Sequence, residues 1–380
     1  MIHSKQRYLF IDLLRFLAVV FMIQGHTFDA LLDFNLRSNI LFFAHDFFHG
    51  FIAPMFLFAS GVAFGISTMK KWEEHIALTK HVARRFGKFF GLIVIGYALH
   101  LPFFSLKKIL TEATSSDIAM WLQVDALHCI ALTMLILQSA VLFLKDEKRF
   151  IWFTIGFAVI IIFLSPIIWT VDFTKITPLW FASYINAGNN SWFPIFPWSS
   201  YILCGVIFSS IFLNAKEHHH AVNLMQKTVS IGIVLLIVSF IVVNLPTHIY
   251  PLHDVWKVNP LIIFARLGFV LLVTSGVFFA EHSYTITSKV PQIMGRESLF
   301  IYVIHLIILY GSVVNKGLQH IILPTLSVIE TSFVFIIVFI AISSFTYGWY
   351  HLKKHFNKTA MAVRIVVAAT FIFLFLTRPY

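Results

Sequence analysis

The chain has 380 residues, of which 59% are apolar and only 12% charged, and carries a formal net charge of +11. A soluble domain carries about twice that share of charge, so this composition, with a mean hydropathy of +0.85, excludes an ordinary cytosolic fold. The excess of cations does not point to nucleic acid, because it lies in loops on alternate sides of apolar runs, where membrane topology accounts for it.

In chain order the apolar runs are 8–32, 50–69, 86–104, 121–144, 151–169, 193–213, 228–245, 261–280, 298–314, 321–349 and 360–377. Backbone groups in lipid must be satisfied internally, and runs of about 20 residues suit helices, whereas barrel strands need only about 10. The pattern predicts an all-α integral membrane protein, a polytopic bundle of about eleven transmembrane helices. Connections are short, so 1–380 reads as a single transmembrane domain. The first run is too long for a signal-peptide core and lacks a small-residue cleavage site, so it is expected to be retained as the first span.

Lys and Arg are divided eighteen to seven between the two sets of alternate connections, the richer set including Lys5, Arg7, Lys70 and Lys353. The positive-inside rule then puts the N-terminus in the cytoplasm and the C-terminus outside. The expected location is an integral position in a membrane, the bacterial inner (plasma) membrane. The stretch 186–198, with Gly188, Pro194 and Pro197, cannot run as one uninterrupted helix. Cys129 and Cys204 both fall inside predicted spans and read as buried, reduced thiols; they supply neither a disulfide framework nor a metal site. No internal repeat supports a transporter built from two related halves.

Ionisable residues inside lipid are costly, so each needs a reason. The first span carries Asp12, Arg15, His26 and Asp29, all within one narrow stripe of the helix. Asp12 and Arg15 are three apart and read equally as an interhelical ion pair or as part of a site. His26 and Asp29 repeat that spacing about 16 Å further along. A carboxylate beside a histidine orients the ring and raises its basicity, as a general base requires.

More candidates gather on the outer side. His45, Asp46 and His49 precede the second span, and the spacing of the two histidines would suit a metal on a helix. With no clear third ligand, no metal is expected. Asp125 and His128 recur at the outer end of the fourth span, Arg266 lies in the outer half of the eighth, and His305 shares a face of the ninth with Ser298 and Tyr302. Each reads singly as a satisfied core residue; together they suggest a polar cavity open to the outside. On the inner side, Arg84, Arg85 and Lys88 enter the third span, while Arg296 and Ser298 open the ninth. Basic residues at helix starts suit phosphate, although the positive-inside rule alone also explains them. The run His218–His220 reads as a solvated loop.

At these residues the chain resembles a known family. Asp12-Leu-Leu-Arg15, followed by Met22-Ile-Gln-Gly-His26, resembles the opening of the transmembrane acyltransferase superfamily, with Phe16 where a glycine is usual. Ala53-Pro-Met-Phe-Leu-Phe-Ala-Ser-Gly61 resembles a block of the heparan-α-glucosaminide N-acetyltransferase-like branch, related to the acyltransferase-3 O-acyltransferases. Phe196-Pro-Trp198 with Cys204-Gly205, and Gly295 through His305, are similar to further blocks. The resemblance implies acyl transfer from cytoplasmic acetyl-CoA, as cosubstrate, to an amine or hydroxyl of a sugar or glycan across the bilayer. It places His26 at the His/Asn position ending the first span, and leaves His45 and His49 both eligible for a functional histidine of the first outer loop. Direct transfer and a covalent acetyl-histidine route both remain open, as does a homo-oligomer. The alternative is a proton-coupled transporter or permease using the same intramembrane Asp, Arg and His. A purely structural partner explains the aligned charges poorly.

Overall fold

Long apolar runs that close their own backbone hydrogen bonds come out as helices, and among the described residues there is no strand. The computed structural model describes residues 8–245, 249–284, 288–312 and 314–378; Lys5 and Arg7 lie outside the described residues. The principal helices are α1 (Leu9–Leu31), α2 (Ile40–His49), α3 (Ile52–Met69), α4 (Lys80–Leu99), α5 (Ala126–Leu144), α6 (Glu147–Ile168) and α7 (Ile195–Glu217). They continue as α8 (Ala221–Val243), α9 (Pro260–Ser283), α10 (Val290–Arg296), α11 (Ser298–Tyr310), α12 (Val328–His355) and α13 (Asn357–Thr377).

The protein is an all-α polytopic membrane protein. Among the described residues, nine helical segments are long and apolar enough to cross a bilayer, and α10 with α11, bent by 82°, makes a tenth candidate. The remaining member of the expected eleven is α4. It is helical over 20 residues, but Lys80, Arg84, Arg85 and Lys88 crowd its start, so it does not join the apolar set.

Boundaries moved where caps intervened. Asp125 starts α5 later than the apolar run, by accepting from the His128 backbone N–H at 3.1 Å. Ser327 and Glu330 form a capping box that starts α12, after Leu323 has left helical geometry at φ +64°. Caps of this kind satisfy the first orphaned N–H groups of a helix, which hydropathy alone does not register.

Contacts group the chain into two units. The first comprises Met1–Ile52, Leu101–Ile118 and Glu281–Tyr380. Here α1 packs against α10, α11 and α12 over a core of Ala18, Val19, Ile23, Ile301, Leu309 and Ile342. Backbone bonds tie the end of α1 to the approach to α12, from Asp33 N–H to Leu326 O and from Leu326 N–H to Leu31 O, both at 3.0 Å. At the bend between α10 and α11, Lys353 donates to both carboxylate oxygens of Glu297 at 2.6 and 2.7 Å.

The second unit comprises Ala53–His100 and Ala119–Ala280. In it α3 crosses α7 at close range. A Cβ on Gly61 would strike the Ile202 carbonyl, and one on Gly205 the Phe58 carbonyl. The spacing of Gly61 and Gly65 on α3, facing Gly205 and Ser209 on α7, is the small-residue pattern that lets membrane helices touch through their backbones. The irregular stretch expected at 186–198 is present: Asn190 is left-handed and Phe196–Pro197 is cis.

Candidate active site

The first unit gathers four histidines from three helices. His45 and His49, one turn apart on α2, face the same way, with ring centroids 4.3 Å apart. His26 on α1 and His305 on α11 have ring centroids 5.2 Å apart, and His26 lies close enough to His49 for their charges to interact. Asn39 sets the start of α2 by accepting from the Phe42 backbone N–H at 2.8 Å.

Gln24, two residues before His26, joins the α2 pair. Its side-chain nitrogen donates to His45 Nε2 at 2.9 Å, and its oxygen accepts from His49 Nε2 at 2.6 Å. A primary amide has one donating and one accepting end, so the two imidazoles must take opposite tautomers. Turning the amide over exchanges their roles and keeps them opposite. In the observed orientation, His49 carries its hydrogen on Nε2 and leaves Nδ1 with a lone pair. His45 carries its hydrogen on Nδ1, an enclosed atom without a hydrogen-bond partner. The approach of α2 to α1 depends on Gly25, since a Cβ there would overlap the His49 ring.

His26 donates from Nδ1 to the Tyr310 hydroxyl at 3.2 Å, and that hydroxyl donates to the His26 carbonyl at 3.4 Å. His305 donates from Nδ1 to the Ile301 carbonyl at 2.9 Å, leaving its buried Nε2 without a partner. Both rings therefore present Nε2 as an acceptor. The cluster thus holds lone pairs and N–H groups in set positions, an arrangement suited to proton transfer.

Not every expected neighbour takes part. Asp29 is exposed and is not joined to His26, whose Nδ1 turns to Tyr310 instead. Arg37 closes the end of α1, donating to the Asp29 and Leu32 carbonyls at 2.9 and 2.8 Å, where the helix dipole favours a cation. At the other end of α1, buried Asp12 lies 3.7 Å from Arg296 Nε. Arg15 is half-buried on α1 and Ser298 is buried at the start of α11. Among the described residues, no set of three or more His, Cys, Asp or Glu side chains is arranged to hold a metal ion.

The second unit holds the other candidates. Asp125 accepts from His128 Nδ1 at 2.7 Å and from His100 Nε2 at 3.3 Å. His128 is fully buried, and its Nε2 has no hydrogen-bond partner. Arg85 folds back onto the end of α3, donating to Thr68 Oγ1 at 2.9 Å and lying 4.2 Å above the Phe64 ring. Arg84 and Lys88, on the same helix, are exposed. Arg266 is buried on α9.

Gln24, Tyr310 and His100 escaped the sequence reading. Gln24 had a signal, a lone amide within the apolar run of the first span. Tyr310 had none, because its partner lies 284 residues away in the chain.

The family described as heparan-alpha-glucosaminide N-acetyltransferase, catalytic, matches residues 7–242. No curated protein and no solved structure matches the chain. The matched segment contains Gln24, His26, His45 and His49, and it covers more than half of the sequence. The chain belongs to the heparan-alpha-glucosaminide N-acetyltransferase family of transmembrane acyltransferases and is a membrane acetyltransferase.

Proposed function

We propose that the protein moves acetyl from cytoplasmic acetyl-CoA to an amine or hydroxyl of a sugar or glycan on the opposite side of the membrane, with the first unit's histidines as the proton-handling centre. The observation that carries this reading is the Gln24 bridge, which makes two neighbouring histidines chemically unlike. His49 Nδ1 takes a proton from the acceptor N–H or O–H as its lone pair attacks the thioester carbonyl. The His45 Nδ1–H stabilises the oxyanion that forms. The C–S bond then breaks, the electron pair leaves on sulfur, and the histidinium returns the proton to give the free CoA thiol. His26, through Nε2, holds a neighbouring hydroxyl or N–H of the acceptor.

Arg84 and Lys88 on α4 are exposed, whereas the Arg85 guanidinium is committed to Thr68 and the Arg296 charge is offset by Asp12. The positive-inside distribution supports a cytoplasmic N-terminus and so a cytoplasmic donor side.

The test uses the purified full-length protein. Acetyl-CoA binding is measured first, and then free-thiol release with glucosamine-type acceptors. Binding followed by thiol release is expected. A folded protein that binds no acetyl-CoA overturns the reading in favour of a transporter. His26→Ala is expected to lower turnover at least ~10-fold with folded protein retained, and full activity in that variant removes His26 from the site.

A further inference from the structure

Arg266 is a cation the mechanism does not use. It sits on α9 at 8% exposure, with Nη1 enclosed and without a hydrogen-bond partner. Among the described residues no carboxylate pairs with it. Its guanidinium carbon lies 5.7 Å from the centre of the Trp198 ring on α7. The Tyr201 hydroxyl, on the same helix, lies beside it. Tyr201 is 1% exposed, and its hydroxyl is close enough to the guanidinium to interact with it.

A guanidinium does not shed its charge by losing a proton, and a buried charge without a counter-ion is strongly unfavourable. Trp198 offers a π-face, which eases the burial without neutralising the charge. What is missing is an anion. Arginine's planar fork matches carboxylate and phosphate through two parallel hydrogen bonds, and the Tyr201 hydroxyl is a third donor at the same place.

We propose that Arg266 and Tyr201 form a binding site for an oxyanion, a carboxylate or phosphate carried by a substrate of the transfer reaction. The proposal rests on the acetyltransferase reading. It adds that one substrate is held by its negative charge on residues of the second unit.

The experiment compares wild type, Arg266→Leu and Tyr201→Phe as full-length proteins in detergent. Kd is measured for glucosamine, glucosamine 6-phosphate, glucuronate and acetyl-CoA, together with Tm in the absence of ligand. Leucine removes an uncompensated charge, so the unliganded Arg266→Leu protein is expected to melt at or above the wild-type temperature. Its Kd for the anionic sugars is expected to rise at least ~10-fold, with glucosamine and acetyl-CoA unaffected. Tyr201→Phe weakens the same probes by a smaller factor.

If only acetyl-CoA binding is lost in Arg266→Leu, the site stands and the anion is a CoA phosphate. Unchanged Kd values for every probe overturn the proposal, and so does a lowered unliganded Tm with no loss of binding. Should leucine not give folded protein, Arg266→Lys keeps the charge and loses the fork, and is read by its Kd values alone. Acetyl-CoA binding by wild type tests the acetyltransferase reading separately, so the two failures are distinct.

Discussion

Replacing Gln24 with leucine keeps the bulk of the side chain and removes both ends of the bridge between His45 and His49. The two hydrogen bonds, at 2.9 and 2.6 Å, contribute ~0.5–1.5 kcal/mol each, and leaving enclosed ring nitrogens unpaired costs ~1–3 kcal/mol. The variant is therefore expected to lose ~1–3 kcal/mol of stability and to remain folded. The effect on turnover is larger. Without the amide each ring divides between two neutral tautomers, so the productive combination is present about a quarter of the time. Loss of orientation multiplies this by up to ~100-fold, for an expected fall in kcat of ~4- to 400-fold. Gln24→Glu separates this role from packing. A carboxylate only accepts, so both histidines would place hydrogen on Nε2 and the division of roles would vanish. Its negative charge also favours the imidazolium, so the acid limb of the kcat–pH profile moves to higher pH. The assay is thiol release from acetyl-CoA between about pH 5 and 9. Wild-type kcat in Gln24→Leu, or a superimposable pH profile in Gln24→Glu, would refute the reasoning.

Gly25→Ala tests the approach of α2 to α1. The added Cβ overlaps the His49 ring, so overpacking costs ~1–3 kcal/mol, offset in part by the ~1 kcal/mol of helix propensity that alanine regains. Activity is expected to fall ~100-fold with little change in Tm, and unimpaired thiol release would show that the ring need not sit there. His75, buried in the connection between α3 and α4, has its pKa pushed down to about 4, first by burial and then by the charges of Arg85 and His81. Because the folded value lies below the ordinary ~6.5, the unfolded connection binds the proton more readily between these limits. Stability is therefore complete above about pH 6.5 and lost as pH falls towards 4. Hydrogen exchange across residues 70–80 is expected to quicken over that window in wild type and not in His75→Phe. An identical acid response in both would assign the effect to another group.

Much of the architecture was legible along the chain. Hydropathy and period are properties of neighbouring residues, so the apolar runs of the first, fifth and sixth spans became α1, α6 and α7. Errors arose where a side chain redirected the backbone, as Asp125 and Ser327 did at the starts of α5 and α12. At the candidate site, the polar stripe of the first span and the His45/His49 pair stood out because charge and imidazole are rare in lipid-length runs. The His26–Asp29 dyad did not form. Residues three apart share a face, but a competing partner takes the ring when another helix brings one close. Tyr310 is that partner.

By itself the sequence determined the class of the protein: an all-α membrane chain of the acetyltransferase family, with its scarce ionisable residues concentrated in identifiable spans. Tertiary structure decided which of those residues act together. It bridged His45 and His49 through Gln24 and gave His26 to Tyr310. It spent Arg85 on the end of α3, and left Arg266 buried with no carboxylate paired to it among the described residues. The physical reason is that burial in lipid is settled by each segment's own composition, whereas a ring's tautomer or a charge's compensation depends on donors and acceptors that only packing brings within 3 Å or so.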